Sequence, residues 1–320
     1  MSDELKTTRD GFGQGLLELA QENEAVVGLC ADLTESTRMS LFAEKFPERY
    51  IQVGVAEQNL AGVAAGFALA GKIPFAASYA CFHPANSWGV IRTSICYSNL
   101  NVKIIGGHAG LVTGEDGATH QSLEDIATMR VLPNMTVIVP ADGEEARKAT
   151  LASGEMFGPV YLRTSKYETG VITTRNTPFN IGKAILLKQG RDITLVACGV
   201  MVGIALQAAQ DLEREGIDAA VLNMHTIKPL DTRALNFSLA RSPYIMTIED
   251  HQIYGGLGSA VAEYLAQQKQ RHYLKIKAVN NSFGESGNPE AILEKYGLST
   301  NAIVASAKKL INMNHKLTDD

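Results

Sequence analysis

The sequence predicts an α/β protein of two doubly wound domains, and three observations support this prediction. The chain has 320 residues, more than one ordinary core holds, so two domains are expected. Short apolar runs alternate with helical stretches along most of the chain, which is typical of α/β folds. The apolar runs are continuous, as in parallel strands that are covered on both faces.

In the first domain, predicted over residues 1–165, apolar runs mark strands and the stretches between them mark helices. The predicted strands are 25–30, 50–55, 73–79, 102–106, 135–140 and 159–163. The predicted helices are 8–22, 57–71, 84–98, 122–130 and 142–157. Asp142 is followed by Glu144 and Glu145, which predicts a helix N-cap with an acidic first turn.

A polar stretch rich in threonine interrupts this alternation and predicts a linker over residues 166–190. The alternation then resumes in a second domain, predicted over residues 191–320. Its predicted strands are 193–198, 218–223, 243–248 and 274–279. Its predicted helices are 201–215, 231–240, 257–268, 289–295 and 299–313.

Composition narrows the class of protein. The net charge is −5 and no long basic run occurs, which argues against a nucleic-acid surface. The four cysteines are widely spaced without a C-x-x-C pair, so neither a zinc site nor a disulfide framework is indicated. The first six residues carry no signal core, and threonine and glycine interrupt the most apolar stretch, 193–209. We therefore expect a cytoplasmic protein without a membrane segment.

Two segments stand out as candidate functional regions. Glu57 begins a predicted helix of otherwise small or apolar residues, which predicts burial all round. A buried carboxyl group needs a partner, although the positive end of its own helix would suffice. Residues 106–121 hold five glycines, two acids and two histidines after an apolar strand. Ligands bind at such strand ends in doubly wound sheets, although a solvated surface loop would also explain this segment.

Together, these segments resemble the C-terminal half of transketolase, a thiamine-diphosphate enzyme. The Glu57 segment resembles the pyrimidine-binding helix of that family. The run Gly114–Gln121, with the Leu132-Pro-Asn-Met135 that follows, resembles its substrate loop and next strand. The resemblance extends from about Thr8 to about residue 310. It implies a pyrimidine-binding first domain and a transketolase C-terminal-like second domain.

The resemblance also implies a partner chain. Full-length transketolases carry a further domain in which a Gly-Asp-Gly motif helps a metal to hold the cofactor's diphosphate. No Gly-Asp-Gly occurs in this chain. The chain therefore resembles one subunit of a split transketolase. The implied partner is an N-terminal subunit that holds the diphosphate and Mg²⁺ or another divalent metal. The implied assembly is a heterotetramer with two copies of each chain, and no metal ligand is expected here.

The resemblance assigns roles around the cofactor's pyrimidine ring. Glu57 matches the residue that hydrogen-bonds a ring nitrogen and favours the imino tautomer. Tyr79 and Phe82 match aromatic walls of the pocket, although core packing explains either residue equally well. The family often has a third aromatic residue where this chain has Ala85. His120 matches a histidine near the cofactor's amino group, where it can move a proton at neutral pH.

Sugar phosphates are the implied substrates. Arg9, Ser36, His108 and Arg163 match the phosphate-binding set of the family, and Asp116 matches the residue that binds a sugar hydroxyl. Arg163 follows an apolar strand, which predicts a position at that strand's carboxyl end. Each arginine also fits a solvated or ion-paired role, and Ser36 fits an ordinary loop.

The expected activity is transfer of a two-carbon ketol unit between sugar phosphates of the pentose phosphate pathway. Deoxyxylulose-phosphate synthase and the beta subunits of 2-oxo-acid dehydrogenases share the glutamate helix, and the synthase has a similar loop. Gly114-Glu-Asp-Gly117 and the Arg9/Ser36 pair favour transketolase. The dehydrogenase subunits lack a Thr-His-Gln of this kind, which counts against them. A non-catalytic regulatory chain is a third possibility. Glu249-Asp250-His251 and Gly255–Gly258 are expected to form a dimer or structural loop.

Overall fold

A computed structural model describes residues 6–270 and 272–315, with side chains as far as residue 312. The predicted start of the first domain and the last residues of the second lie outside the described residues. Within them, the chain forms one seven-stranded and one five-stranded sheet with helices on both faces. This arrangement confirms the predicted fold class of two mostly parallel α/β domains.

The first sheet presents the carboxyl ends of its parallel strands at one edge. Its parallel strands are β1 (Val26–Cys30), β2 (Tyr50–Gln52), β3 (Ile73–Tyr79), β4 (Lys103–Gly107), β5 (Thr136–Ile138) and β6 (Val160–Arg163). They lie in the order β5-β6-β4-β3-β1-β2. The order in which successive strands are added reverses between β1 and β3. Ligands bind at such a switch point in doubly wound folds.

Among the described residues, six helices belong to this domain. They are α1 (Thr8–Glu22), α2 (Ser40–Lys45), α3 (Glu57–Leu69), α4 (Trp88–Val90), α5 (Asp125–Arg130) and α6 (Gly143–Glu155). The predicted helix 84–98 is broken into a 3₁₀ turn, the short α4 and a π-helical stretch over Ile91–Cys96. The short α2 was not predicted, because six residues give too little periodicity to detect.

The second sheet is built from β7 (Ile185–Lys188), β8 (Ile193–Ala197), β9 (Ala219–Asn223), β11 (Tyr244–Gln252) and β12 (Tyr273–Val279). Its order is β12-β11-β8-β9-β7, with β7 antiparallel at the edge. Strand β7 lies inside the stretch predicted to be a linker. Strand β10 (Thr226–Lys228) instead pairs antiparallel with β5 and completes the first sheet. The helices are α7 (Met201–Arg214), α8 (Thr232–Leu239), α9 (Leu257–Leu265), α10 (Pro289–Lys295) and α11 (Thr300–His315).

The two domains share a hydrophobic core. On one face of the first sheet, α1 and α6 pack with Phe12, Leu16 and Phe75 in the core. On the other face, the core residues of α3 are continuous with Leu257 and Val261 of α9. The second domain therefore covers part of the first sheet directly, as the pairing of β10 also requires.

Helix α3 is buried on one face only, so the prediction of burial all round is wrong. Glu57, Leu60, Ala61, Ala64 and Ala65 face the core. The opposite face is open in this chain, because Leu69 is 74% exposed and a Cβ at Gly62 or Gly66 would meet nothing within 4 Å. Small residues leave no apolar contrast between the faces, which is why periodicity did not reveal the open one.

The predicted N-cap of α6 is confirmed, and the residue three positions later joins the two domains. Asp142 accepts a hydrogen bond from the Glu145 backbone at 2.8 Å. The Glu145 carboxylate is buried and accepts hydrogen bonds from the Ala141 amide at 2.7 Å and from Asn223 Nδ2, on β9, at 2.8 Å. Burial raises the pKa of Glu145 to about 7.

We expect the stability of the wild type relative to Glu145→Gln to fall by about 1–3 kcal/mol between pH 5 and pH 8. The folded pKa of Glu145 lies above its ordinary value of 4.5. Its stabilising contribution is therefore complete below the unfolded pKa and is lost as the pH rises through about 7. Urea unfolding at both pH values measures the difference. The control is Glu144→Gln. Burial would raise the pKa of Glu144, but Arg147 outweighs burial and lowers it, so this variant should lose stability. Equal pH profiles for wild type and Glu145→Gln would contradict this account.

Candidate active site

A cluster of four rings lies at the carboxyl edge of the first sheet. Tyr79 ends β3, and its ring stacks on His108 at 3.9 Å between centroids and on Phe82 at 6.0 Å. The ring of His120 stands edge-on to Phe82 at 5.4 Å and to Tyr79 at 6.2 Å. Tyr79, Phe82 and His120 are each half-buried. The structure thus brings together four of the residues that the sequence singled out, from the loops after two neighbouring strands.

Glu57 is buried at the first residue of α3, with 9% of its surface exposed. Among the described residues, its carboxylate has no hydrogen-bond partner. Glu57 also acts on the segment that carries Phe82. Burial, and then the charges of Glu124 and Glu57, raise the pKa of the Cys81 thiol to about 12. The Glu57 carboxylate oxygens are not among the fully enclosed polar atoms, so they open onto solvent and can accept a proton or a hydrogen bond from a ligand.

Arg9 lies in the first turn of α1 and reaches the ring cluster. Its Nη1 donates to the Ser36 carbonyl at 3.2 Å and contacts His108 Nε2 at 3.4 Å. Arginine can only donate, so Nε2 of His108 is assigned as the acceptor. Ser36 itself lies in a turn, and its contribution to this contact is its backbone oxygen.

His108 is a neutral, strained member of the site. Burial, with the neighbouring charge of Arg9, lowers the pKa of His108 to about 3. Its φ of +51° lies in the left-handed region, which non-glycine residues seldom adopt and which concentrates at functional sites. His108 therefore holds Arg9 in place as a neutral acceptor, rather than adding a positive charge to the predicted phosphate-binding set.

Asp116 pairs with a lysine that the sequence analysis did not select. Lys166 Nζ lies 2.8 Å from Asp116 Oδ2, and both side chains are partly exposed. The charge of Lys166 also contributes to lowering the pKa of His108. The sequence feature that could have identified Lys166 is its position, three residues after Arg163 in the loop that follows β6. Lys166 thus supplies a cation at the carboxyl edge beside Arg9.

Arg163 is buried in an ion pair, and this geometry argues against the predicted phosphate role. The side chain is 7% exposed, and its Nε donates to Asp125 Oδ2 at 2.8 Å. Its Nη2 donates to the backbone oxygens of Ser122 and Asp250 at 3.3 and 2.9 Å. The strand-end placement was predicted correctly, but Asp125 and Tyr161, which also donates to Asp125 at 2.6 Å, enclose the guanidinium.

The glycine-rich run of the second domain lies at a helix start whose amides are already bound by the side chain of Glu249. Glu249 is buried, and its carboxylate accepts hydrogen bonds from the Leu257 and Gly258 amides at 2.7 Å each. These amides begin α9, where a phosphate would otherwise bind. Within this chain, Gly255–Gly258 therefore forms a structural loop.

The part of the chain that the structure describes holds neither a metal-binding cluster nor a membrane-spanning helix. In residues 6–270 and 272–315, no cluster of His, Cys, Asp and Glu has the geometry to hold a metal ion. Over the same residues, no helix combines the length and apolarity that a membrane crossing requires.

The fold defines a two-domain α/β protein with a candidate ligand site at the carboxyl edge of its first sheet. Residues 4–171 match the family described as "Transketolase, pyrimidine binding domain", and residues 182–303 match "Transketolase, C-terminal domain". The chain belongs to the transketolase family, which confirms the resemblance inferred from its motifs.

Three relatives illustrate the similarity. A solved structure described as "Split gene transketolase, inactive beta4 tetramer" is 44% identical, covers 97% of this chain and 99% of its own, and superposes with a TM-score of 0.88. A Methanocaldococcus jannaschii protein named "Putative transketolase C-terminal section" is 43% identical over 95% of this chain and 96% of its own length. The 6-deoxy-6-sulfo-D-fructose transketolase subunit of a Clostridium species is 40% identical, over 94% of each chain.

Proposed function

We propose that this chain is the C-terminal subunit of a two-chain transketolase that transfers a two-carbon ketol unit between sugar phosphates. The observation that carries the proposal is Glu57, a buried residue whose carboxylate has no hydrogen-bond partner among the described residues. It lies at a helix start beside the segment that carries the aromatic cluster. The solved split-gene relative supports the division into two chains.

Thiamine diphosphate fits the residues at this edge. When bound, it supplies the reactive thiazolium carbon that carries the two-carbon unit. Glu57 holds a proton between its carboxylate and a ring nitrogen, and this hydrogen bond offsets the cost of covering the carboxylate when the cofactor binds. Tyr79 and Phe82 present apolar ring faces to the pyrimidine and exclude water. We assign the diphosphate and its Mg²⁺ or other divalent metal to the partner subunit.

The remaining residues act on the substrate. His120 moves a proton near the substrate oxygen, a role that its half-buried position allows. Asp116 accepts a hydrogen bond from a sugar hydroxyl, and Lys166 fixes its orientation. Arg9 donates to the phosphate from a position set by the Ser36 carbonyl and His108. Lys166 replaces Arg163 as the second cation for the phosphate, since Arg163 is committed to Asp125.

The test is to mix this chain with an N-terminal transketolase subunit, thiamine diphosphate and Mg²⁺. Ketol transfer from xylulose 5-phosphate to ribose 5-phosphate is then followed. We expect turnover only when both chains are present, in an assembly with two copies of each. Turnover of pyruvate with glyceraldehyde 3-phosphate would instead indicate synthase chemistry, and no turnover with either pair would indicate a regulatory chain.

We expect Lys166→Met to raise KM for a phosphorylated acceptor by about 10–100-fold, since a lost charged hydrogen bond costs about 1.5–3 kcal/mol. An unphosphorylated aldehyde acceptor should show a much smaller change, because it lacks the group that Lys166 binds. Steady-state kinetics with the two acceptors measures the difference. The exposed Lys72→Met is the matched control. Equal losses with both acceptors would show that Lys166 acts only by holding Asp116.

We also propose a cytoplasmic location. Cys30, Cys81, Cys96 and Cys198 are all free thiols, as expected in a reducing compartment.

A further inference from the structure

We propose that Asp250, on β11 of the second domain, is a positioning residue that sets the conformation of residues 110–121. This stretch contains the Gly114–Gln121 run and is here called the substrate loop. The proposal rests on the proposed function, because the loop matters through the Asp116 and His120 side chains that it carries. Asp250 itself lies away from any substrate, since its carboxylate is 2% exposed and turned onto the loop backbone.

The first contact fixes the start of the loop. Asp250 accepts hydrogen bonds from the amides of Leu111 at 2.8 Å and Val112 at 3.4 Å. The approach is so close that a Cβ at Gly110, where φ is +90°, would lie 2.0 Å from Asp250 Oδ2. Only glycine combines that conformation with that contact. Leu111 and Val112 are then buried in the core of the second domain.

A second contact fixes the other end of the loop. Gln121 Nε2 donates to the carbonyls of Leu111 at 3.2 Å, Gly114 at 3.1 Å and Glu285 at 2.9 Å. Glu285 lies between β12 and α10, so this contact also joins the loop to the second domain. Asp116 and His120 project from the stretch between these two anchors, and their positions depend on both.

Asp250 also joins the loop to the buried ion pair. Its backbone oxygen accepts a hydrogen bond from Arg163 Nη2 at 2.9 Å, and the same nitrogen donates to Ser122 at 3.3 Å, directly after the loop. Through Asp250, the end of β11 thus contacts Leu111 at the start of the loop. It also contacts Arg163, which donates to Ser122 directly after the loop. The second domain, which contributes no predicted site residue, shapes the site through this strand end.

The adjacent residue provides a matched control. Glu249 is equally buried on β11 and also accepts two backbone hydrogen bonds, but from Leu257 and Gly258 of α9 within the second domain. Asp250→Asn and Glu249→Gln therefore remove the same kind of interaction from one strand. Only Asp250 faces the substrate loop. In Asp250→Asn, the side-chain NH₂ would point at the Val112 N–H, where the wild type has an accepting oxygen.

Two measurements on these variants test the proposal. In the isolated chain, Asp250→Asn should speed hydrogen exchange of the loop amides by at least about tenfold, whereas Glu249→Gln should leave them protected. With the partner chain, Asp250→Asn should lower kcat/KM for the sugar phosphates by at least about tenfold. The activation constant for thiamine diphosphate should change less than kcat/KM. Glu57, Tyr79 and Phe82 lie outside the loop, and only His120 of the loop contacts the two rings.

Wild-type loop exchange in Asp250→Asn, or wild-type kcat/KM despite a loosened loop, would overturn the proposal. An equal rise in cofactor requirement and loss of turnover would show a general structural effect and would also overturn it. If the wild-type pair lacked ketol transfer altogether, the proposed function would fail. The exchange comparison would still decide whether Asp250 holds the loop.

Discussion

Replacing Glu57 with glutamine should lower kcat by about 10²–10⁴-fold while the chain folds normally. Glutamine keeps the size of the side chain but cannot carry a proton between a carboxylate and the pyrimidine ring. The fold should tolerate the change, because the Glu57 carboxylate has no hydrogen-bond partner among the described residues. Glu57→Ala should give a similar loss of turnover.

The measurement is steady-state turnover of the assembled pair, together with the unfolding temperature of the variant chain. The control is Glu24→Gln, the same chemical change at an exposed position. Wild-type turnover in either Glu57 variant would refute the assigned role. A loss of turnover accompanied by an equal loss of stability would assign Glu57 to the fold instead.

Replacing Arg163 with methionine should lower the free energy of unfolding by about 3–5 kcal/mol. The change leaves Asp125 buried without its cation, and it also removes donors from the Ser122 and Asp250 carbonyls. Chemical denaturation of the isolated chain measures the loss. Adding Asp125→Leu to the variant should recover much of it, because no uncompensated charge then remains.

The loss of stability in Arg163→Met should depend on pH. Burial alone would raise the pKa of Asp125, but Arg163 outweighs it and holds the pKa below the ordinary value of 3.8. The pair's stabilising effect is therefore complete above that value and is lost as the pH falls through the lower, folded pKa. The cost of Arg163→Met should shrink in acid. A variant with wild-type stability and a raised KM for phosphorylated sugars alone would restore the phosphate role.

Elements with strong local signals could be predicted from the sequence. Helix α1 was predicted over 8–22 and observed over Thr8–Glu22. Its ends are encoded locally, since Thr7 and Asp10 form a reciprocal cap at its start. Tyr79, Phe82, His108 and His120 were predicted to share a site. That prediction came from the resemblance to transketolase. The four residues lie at or after the ends of two neighbouring strands, and the carboxyl ends of parallel strands meet at one edge.

The features that could not be predicted depend on partners far away in the sequence. Arg163 was placed correctly at a strand end, but Asp125, 38 positions earlier, decides that it is buried. Asp250 contacts Leu111 across 139 positions, so its motif gave no sign of the loop that it holds. Strand β10 follows the second domain's β9 directly, yet it pairs with the first sheet. In each case tertiary packing, rather than local pattern, determines the outcome.

A structure of the two chains assembled with thiamine diphosphate tests the central claim most directly. The account predicts that a pyrimidine ring nitrogen lies within about 3 Å of a Glu57 carboxylate oxygen, while the diphosphate and its metal contact the partner chain. A pyrimidine ring bound elsewhere, or a diphosphate held by this chain alone, would contradict the account.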